Sequence, residues 1–429
     1  MADLLALSAR IIDEGTTDEP VNRVTQELSE VADGISLVES FSHVVTLATD
    51  DGLVCFDTSG ARTGAAVVDA IRRWSTEPFR ALVYTHGHVD HVGGSGAFLA
   101  DTDRRGSGRP SVVGHEALLD RLDRYELTNG YNVTINARQF GGARGGVGLG
   151  LDRGARFLPD DAARPDVTVD DHHRLEVGDT TVELHHAKGE TDDHLWAWLP
   201  EHRAICSGDF LIWNFPNAGN PQKVQRFPLE WAEALRDMIA AGPELLLPAH
   251  GLPIAGRERI AGVLDDVATA LERLVADTLW LMNEGAPLDQ IINTVQVDPD
   301  LLAKPYLRPL YDEPEFVVRN IWRLYGGWYD GNPSRLKPAP EAVFASEVAA
   351  LAGGVDVLVE RARRLSAEGD HRLACQVIEL ATQAAPEDRE AHGARAEIYD
   401  ARRRTESSLM SKGIYGWAAR QSREALGDE

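Results

Sequence analysis

The chain has 429 residues, 43% of them hydrophobic and 26% charged, with a formal net charge of −25. That length exceeds what one hydrophobic core ordinarily serves and predicts two domains, while the acidic balance excludes nucleic acid as a partner, because no Lys/Arg stripe exists to neutralise phosphates. No apolar run approaches the ~20 residues of a membrane span, and the start lacks the basic and long apolar regions of a signal peptide, so the expected compartment is the cytoplasm.

From residue 22 to 58, β-forming residues cluster around the turn signal Asp51-Gly52 and predict a hairpin meander. Ala65, Val68, Ile71 and Trp74 then recur at helical spacing, so residues 61–74 form a helix leading to a short buried strand, Ala81 to Tyr84. After a Gly93-Gly94 turn a short helix covers 94–100, and the composition of 101–110 predicts an exposed loop before a strand at 112–115. Residues 116–140 read as a helix running into a polar segment. Gly141 to Arg156 holds seven glycines but lacks the Lys-Ser/Thr of a phosphate-cradling loop, and reads as a surface loop or an active-site lid. Strands follow at 167–178 and 181–186 around Gly178-Asp179, then at 196–200, 203–208 and 245–250. Cys55, Cys206 and Cys375 are odd in number and far apart, which argues against a disulfide framework.

Beyond Gly256 the texture becomes helical. Ile260, Val263, Leu264, Val267, Leu271, Leu274 and Leu281 follow one apolar stripe, and a helical domain spanning 256–429 is expected after an α/β domain at 1–255. Residues 355–385 and 389–421 read as two helix pairs with Ala-rich faces, similar to a tetratricopeptide unit but too short for a free solenoid.

The most specific signal lies at the tip of the Ala81–Tyr84 strand, where His86-x-His88-x-Asp90-His91 places four potential metal ligands within six positions. Imidazole nitrogen and carboxylate oxygen are ligands that zinc-like ions accept at about 2.0–2.2 Å. His86 and His88 can reach one ion, and Asp90 and His91 face a second. The string resembles the signature of the metallo-β-lactamase fold, which implies an αββα sandwich with metals at one edge. Further ligands are then expected at later strand ends: Glu190, where most such chains place a histidine, Asp209 in Ser207-Gly-Asp-Phe, and His250 in Pro248-Ala-His-Gly. The expected assignment is two Zn²⁺ per chain, the first held by His86, His88 and Glu190, the second by Asp90, His91 and His250, with Asp209 bridging. His185, His186 and His194 are further candidates, as ligands or as residues that orient them.

Glu190 in the turn, together with Asn320-Ile-Trp-Arg-Leu-Tyr-Gly-Gly-Trp-Tyr-Asp-Gly-Asn-Pro and Leu351-Ala-Gly-Gly, resembles the type III, zinc-dependent alkylsulfatases, whose catalytic domain precedes a helical dimerisation domain. The resemblance runs from about residue 30 to 420. A second acidic ligand nineteen positions after the first is implied, and Asp209 stands there (209 − 190 = 19); Asn217 matches an asparagine placed at the sulfate. The family's turn T-E-A-P-x-E is here Glu190-Thr-Asp-Asp-His194. Its sulfate-binding arginine is replaced by Gln222-Lys223, with Arg226 the nearest guanidinium. The family also continues into a carboxy-terminal sterol-carrier-like domain where this sequence stops, so short or secondary alkyl esters are expected over long-chain ones.

The function expected on this basis is a binuclear hydrolase whose nucleophile is a metal-bridging hydroxide, acting on a small alkyl sulfate ester as a homodimer. Asp90 anchors an ion, Asn217 donates to the sulfate, and Lys223 or Arg226 neutralises the departing anion. The alternatives are a hydrolase of a thioester, lactone or phosphoester, and a non-catalytic metal-binding scaffold.

Overall fold

The computed structural model describes residues 3–140 and 156–427; the glycine-rich stretch 141–155 lies outside the described residues. Two compact units divide the chain, one comprising residues 1–129 and 156–327, the other 130–155 and 328–429. The division expected at 255/256 falls inside the first unit, because the long helix Arg257–Asn283 lays its stripe of Ile260, Val263, Leu264, Val267 and Leu271 into that unit's core.

The first unit holds two sheets. Seven strands run in spatial and chain order: β1 Leu28–Ala32, β2 Ile35–Val38, β3 Val44–Ala48, β4 Leu53–Phe56, β5 Phe79–Val83, β6 Ser111–His115 and β7 Val167–Val169. The first four pair antiparallel as the expected meander, and β4 through β7 pair parallel. The second sheet contains β8 His172–Val177, β9 Thr180–His186, β10 Leu195–Leu199, β11 Ala204–Gly208, β12 Leu245–Pro248 and β13 Ile254–Ala255, with β8 and β13 at its edges.

Fully buried strands carry unbroken apolar runs, as Leu53-Val-Cys-Phe and Ala81-Leu-Val do. In β9 the pattern alternates instead: Val182 and Leu184 are buried in the sandwich, while Glu183 and His185 face outward, half-buried. Leu82 is wholly buried, and its truncation to Ala would cost about 2–5 kcal/mol in lost transfer energy and cavity. All three cysteines are buried and unbridged.

Several elements differ from expectation. The stretch 167–178 is two strands in different sheets, since the chain crosses from one layer to the other at Asp170-Asp171. The helix after the Gly-Gly turn runs Ser95–Arg105, through half of the expected loop; Phe98 anchors it, and buried Asp101 accepts from Arg72 Nε at 2.8 Å. Residues 116–140 form two helices, Ala117–Leu127 and Asn129–Gln139. Helices Leu4–Glu14 and Pro228–Ala241 gave no clear sequence signal.

The second unit contains Glu341–Ala352, Val355–Ala367, His371–Ala384, Arg389–Thr405 and Leu409–Leu426. Small residues line its core, among them Ala362, Ala374, Ala381, Ala391 and Ala394, which lets the helices approach closely. Asp370, at the expected turn, caps its following helix by accepting from Leu373 N. Among the described residues no single helix is long and apolar enough to cross a membrane.

Candidate metal centre

The strand tips meet at one edge of the sandwich, and all seven expected ligands gather there. His88 immediately precedes the short helix Val89–Val92, which carries Asp90 and His91 around one turn. The turn His86-Gly87-His88 is clamped from behind: Asp193 accepts from Gly87 N at 2.9 Å and from Arg121 Nε at 2.9 Å. Gly87 is required, because a Cβ there would stand 2.6 Å from Arg121 Cδ and 2.9 Å from Asp193 Oδ2.

Donor atoms fall into two groups whose members lie within 4.8 Å of one another, His86 with His88 and Asp209, and Asp90 with His91 and His250. Asp209 faces both. Its Oδ2 is 3.9 Å from His86 Nε2, and its Oδ1 is 3.5 Å from both His91 Nε2 and His250 Nε2. Asp90 Oδ2 is 3.6 Å from His91 Nε2 and 3.5 Å from His250 Nε2. Those spacings exceed a hydrogen bond, yet match the roughly 3.4 Å between donors that share a tetrahedral ion at about 2.1 Å. His91 Nε2 and Asp209 Oδ1 are buried without a hydrogen-bond partner among the described residues. An imidazole nitrogen and a carboxylate oxygen can each present a lone pair, and two such atoms left without partners in one space fit a cation between them. Glu190 is adjacent rather than central: its Oε1 is 3.5 Å from His88 Nδ1 and also meets Asn217 Nδ2 and, at 3.4 Å, Arg226 Nη2.

Charge follows the same division. Burial disfavours protonated His91, but Asp209, Asp57 and Asp90 outweigh it and hold that imidazole well above its usual value. Burial, then repulsion from His91 and His88, keeps His86 well below its own. Burial and the neighbouring Asp209 push Glu190 well above the usual carboxylate range. Asp209 is the opposite case: burial opposes its ionisation, yet His250 and His91 hold its carboxyl below the usual range.

Supporting residues complete the site. Asp57, at the end of β4, accepts from Thr85 N at 2.7 Å, from Thr85 Oγ1 at 2.8 Å and from His91 Nδ1 at 2.8 Å, leaving His91 Nε2 free to ligate. Asp57, Asp193 and Arg121 carry no signal in the sequence that marks them as site residues. Tyr311 also faces the cluster, with burial, Glu190 and Asp90 raising its phenol well above its usual value.

The remaining candidates separate clearly. His194 Nε2 accepts from Asp209 N at 3.2 Å and its ring stacks on Phe210, so it orients Asp209. His186 stacks on His115 and meets the carbonyl of Asp192 at 2.9 Å, away from the donor groups. His185 lies on the outer face of its sheet against Trp196. Asn217 is buried and directs an N–H at Glu190. Lys223 is half-buried, its Nζ 5.5 Å from the Phe157 ring, and burial followed by repulsion from Arg226 pushes its ammonium down to about 7. Arg226 is buried and binds the carbonyls of Asn217 and Val224 at 3.1 Å each, so it braces the segment carrying Asn217.

Comparison with known proteins places these features in a lineage. Residues 37–250 match the Metallo-beta-lactamase superfamily and residues 287–425 match Alkyl sulfatase dimerisation. A linear primary-alkylsulfatase of a Pseudomonas species is 28% identical over 366 residues, covering 81% of this chain and 68% of that protein. An (R)-specific secondary-alkylsulfatase from Pseudomonas is 25% identical, covering 84% of this chain but 56% of its own length, so this chain spans little more than half of that relative. The solved structure of the stereoselective inverting sec-alkylsulfatase Pisa1 from Pseudomonas shares the fold, with a TM-score of 0.82 at 23% identity over 93% of this chain and 66% of that one. With both domain types in that order, the chain belongs to the alkylsulfatase-like family of metallo-β-lactamase-fold proteins.

Proposed function

We propose that the chain hydrolyses small sulfate monoesters at a binuclear zinc centre. The observation that carries this is Asp209, a buried carboxylate whose two oxygens face two separate groups of imidazole and carboxylate donors. His86, His88 and Glu190 would hold one ion, Asp90, His91 and His250 the other, and Asp209 both. Bound there, such ions supply a water acidified toward neutral pH and a Lewis-acidic pull on the ester. The chain's own residues do the rest. Asp57 fixes the His91 tautomer, Asp193 and Arg121 hold the His86-Gly87-His88 turn, and Arg226 keeps Asn217 in place. Asn217 offers a neutral donor to the sulfate oxygens, and Lys223 a positive charge to the departing anion. An ammonium lacks the bidentate fork of a guanidinium, so turnover should discriminate less between sulfate and other esters than an arginine site does.

The test is a panel of alkyl sulfates, thioesters, lactones and phosphoesters with added zinc, followed by product release and by elemental analysis of the purified protein. Sulfate release and close to two ions per chain at this centre are expected. Turnover of a carboxylic ester or phosphoester without sulfate release moves the assignment to another hydrolase, and one ion per chain, unchanged by Asp209→Ala, removes the bridging role.

The same reading takes the chain as a homodimer. Its support is the dimerisation-family match together with large apolar side chains exposed in the second unit, Trp328 at 72%, Phe344 at 58% and Leu351 at 81%. A monomer at micromolar concentration by light scattering ends that reading.

A further inference from the structure

We propose that His172, Glu183 and His185 form a second metal site, separate from the centre above, that takes one divalent ion of the zinc or copper class. The site is built on a hairpin. In the antiparallel pair of β8 and β9, His172 stands directly opposite His185, and Glu183 lies two positions earlier on the same outward face. The register thus sets three donors on one patch without any loop. A turn at Gly178-Asp179 closes the hairpin, and Asp50 Oδ1 accepts from Asp179 N at 2.9 Å, so the two strands are tied in this register.

The donor atoms lie within 4.8 Å of one another. A tetrahedral ion with bonds of about 2.0–2.2 Å wants roughly 3.4 Å between donors, and rotation of the exposed His172 closes the difference. His185 is the rigid member. Its ring stacks on Trp196 at 4.1 Å and 12°, and meets His172 edge-on at 4.6 Å. Two imidazoles and one carboxylate suit zinc and copper better than the all-oxygen preference of magnesium or calcium.

His172, Glu183 and His185 line a cavity of about 470 Å³ between the edge hairpin and the helix Pro228–Ala241, so an ion held by these three ligands would have room for a further ligand. Asp171 and Asp237 line that cavity beside Trp196 and Trp198. Carboxylates lining the same cavity supply acceptors for the second ring N–H of a ligating histidine. The site lies on the opposite side of β9 from Val182 and Leu184, which face the sandwich core. It therefore shares no residue with the candidate centre and does not depend on how that centre is read.

The test compares full-length protein with the His172→Asn/His185→Asn double variant after dialysis against micromolar zinc. One ion per chain fewer is expected in the variant by elemental analysis, with ester hydrolysis unchanged. Equal metal content overturns the proposal. A second measurement titrates copper(II) and follows tryptophan fluorescence, because an ion on His185 sits against Trp196. Saturable quenching should be lost in the His172→Asn/His185→Asn variant and reduced in Trp196→Phe, where Trp198 still lines the cavity, and Glu183→Gln, which keeps both imidazoles and the side-chain shape, should weaken copper binding at least about tenfold. Quenching identical in wild type, Glu183→Gln and the double variant refutes the site.

Discussion

Replacing Asp57 by asparagine isolates what a carboxylate behind a candidate ligand contributes. Asp57 has φ 62°, a left-handed conformation that asparagine tolerates, so the backbone should hold while the charge goes. The carboxylate accepts from three donors, Thr85 N, Thr85 Oγ1 and His91 Nδ1, at 2.7 to 2.8 Å. An amide has one oxygen to accept with, so its NH₂ must face either Thr85 N–H or the His91 ring. One outcome leaves a buried donor unsatisfied, at about 1–3 kcal/mol. The other drives the His91 proton to Nε2, the atom aimed at the second donor group. Either way affinity for the ion on His91 should fall by about 10–100-fold, equivalent to about 1.4–2.7 kcal/mol. Chelator competition for zinc reads the affinity, and far-UV circular dichroism confirms the fold. An affinity within about twofold of wild type, with the fold intact, refutes the account of His91.

Lys223→Met should lower kcat for alkyl sulfates with little change in melting temperature, because Lys223 makes no ion pair among the described residues; unaltered sulfate turnover removes its charge role. Gly219→Ala should destabilise by roughly 2–3 kcal/mol in urea unfolding and lower activity, since its Cβ would sit 2.2 Å from Val317 N and 2.3 Å from Phe316 C. Chelation should lower the melting temperature and zinc restore it, by about 2.7 kcal/mol at a hundredfold excess over Kd, because Asp90, Glu190 and Asp209 lose their counter-charge; a melting temperature indifferent to chelator argues that no ion binds there.

The centre was readable because its ligands sit at strand ends, where an apolar run stops and a polar residue must begin, so His86, Asp209 and His250 announce themselves. What the sequence concealed was contact across the chain. Arg121 looks like one more charge on an amphipathic helix, and only folding brings it to Asp193. The Val167–Val177 stretch shows why strands are read more easily than sheets: β-formers stand on both sides of Asp170-Asp171, and only the fold shows that this acidic pair carries the chain from one layer to the other. Asp101 misled in the other direction, since Asp-Thr-Asp-Arg-Arg has loop composition until Arg72 neutralises it inside a helix. The change of texture at Gly256 marked a change of element type, which need not coincide with a boundary between cores.

The helix Pro314–Tyr325 falls within the dimerisation-family match, yet it belongs to the compact unit that holds the metal-ligand candidates. Asn320 Oδ1 accepts from Gln225 Nε2 at 2.9 Å, and its Nδ2 donates to the carbonyl of Arg226 at 2.9 Å. Asp312 receives Gly219 N at 2.7 Å, and the carbonyl of Arg308 receives Phe215 N at 3.0 Å. Recombination between relatives has to respect that grip. A chimaera joined at residue 286 would set a foreign segment against this chain's residues 215–226 and put all four of these hydrogen bonds at risk at once, whereas a crossover after residue 327 carries the helix along with the segment it holds.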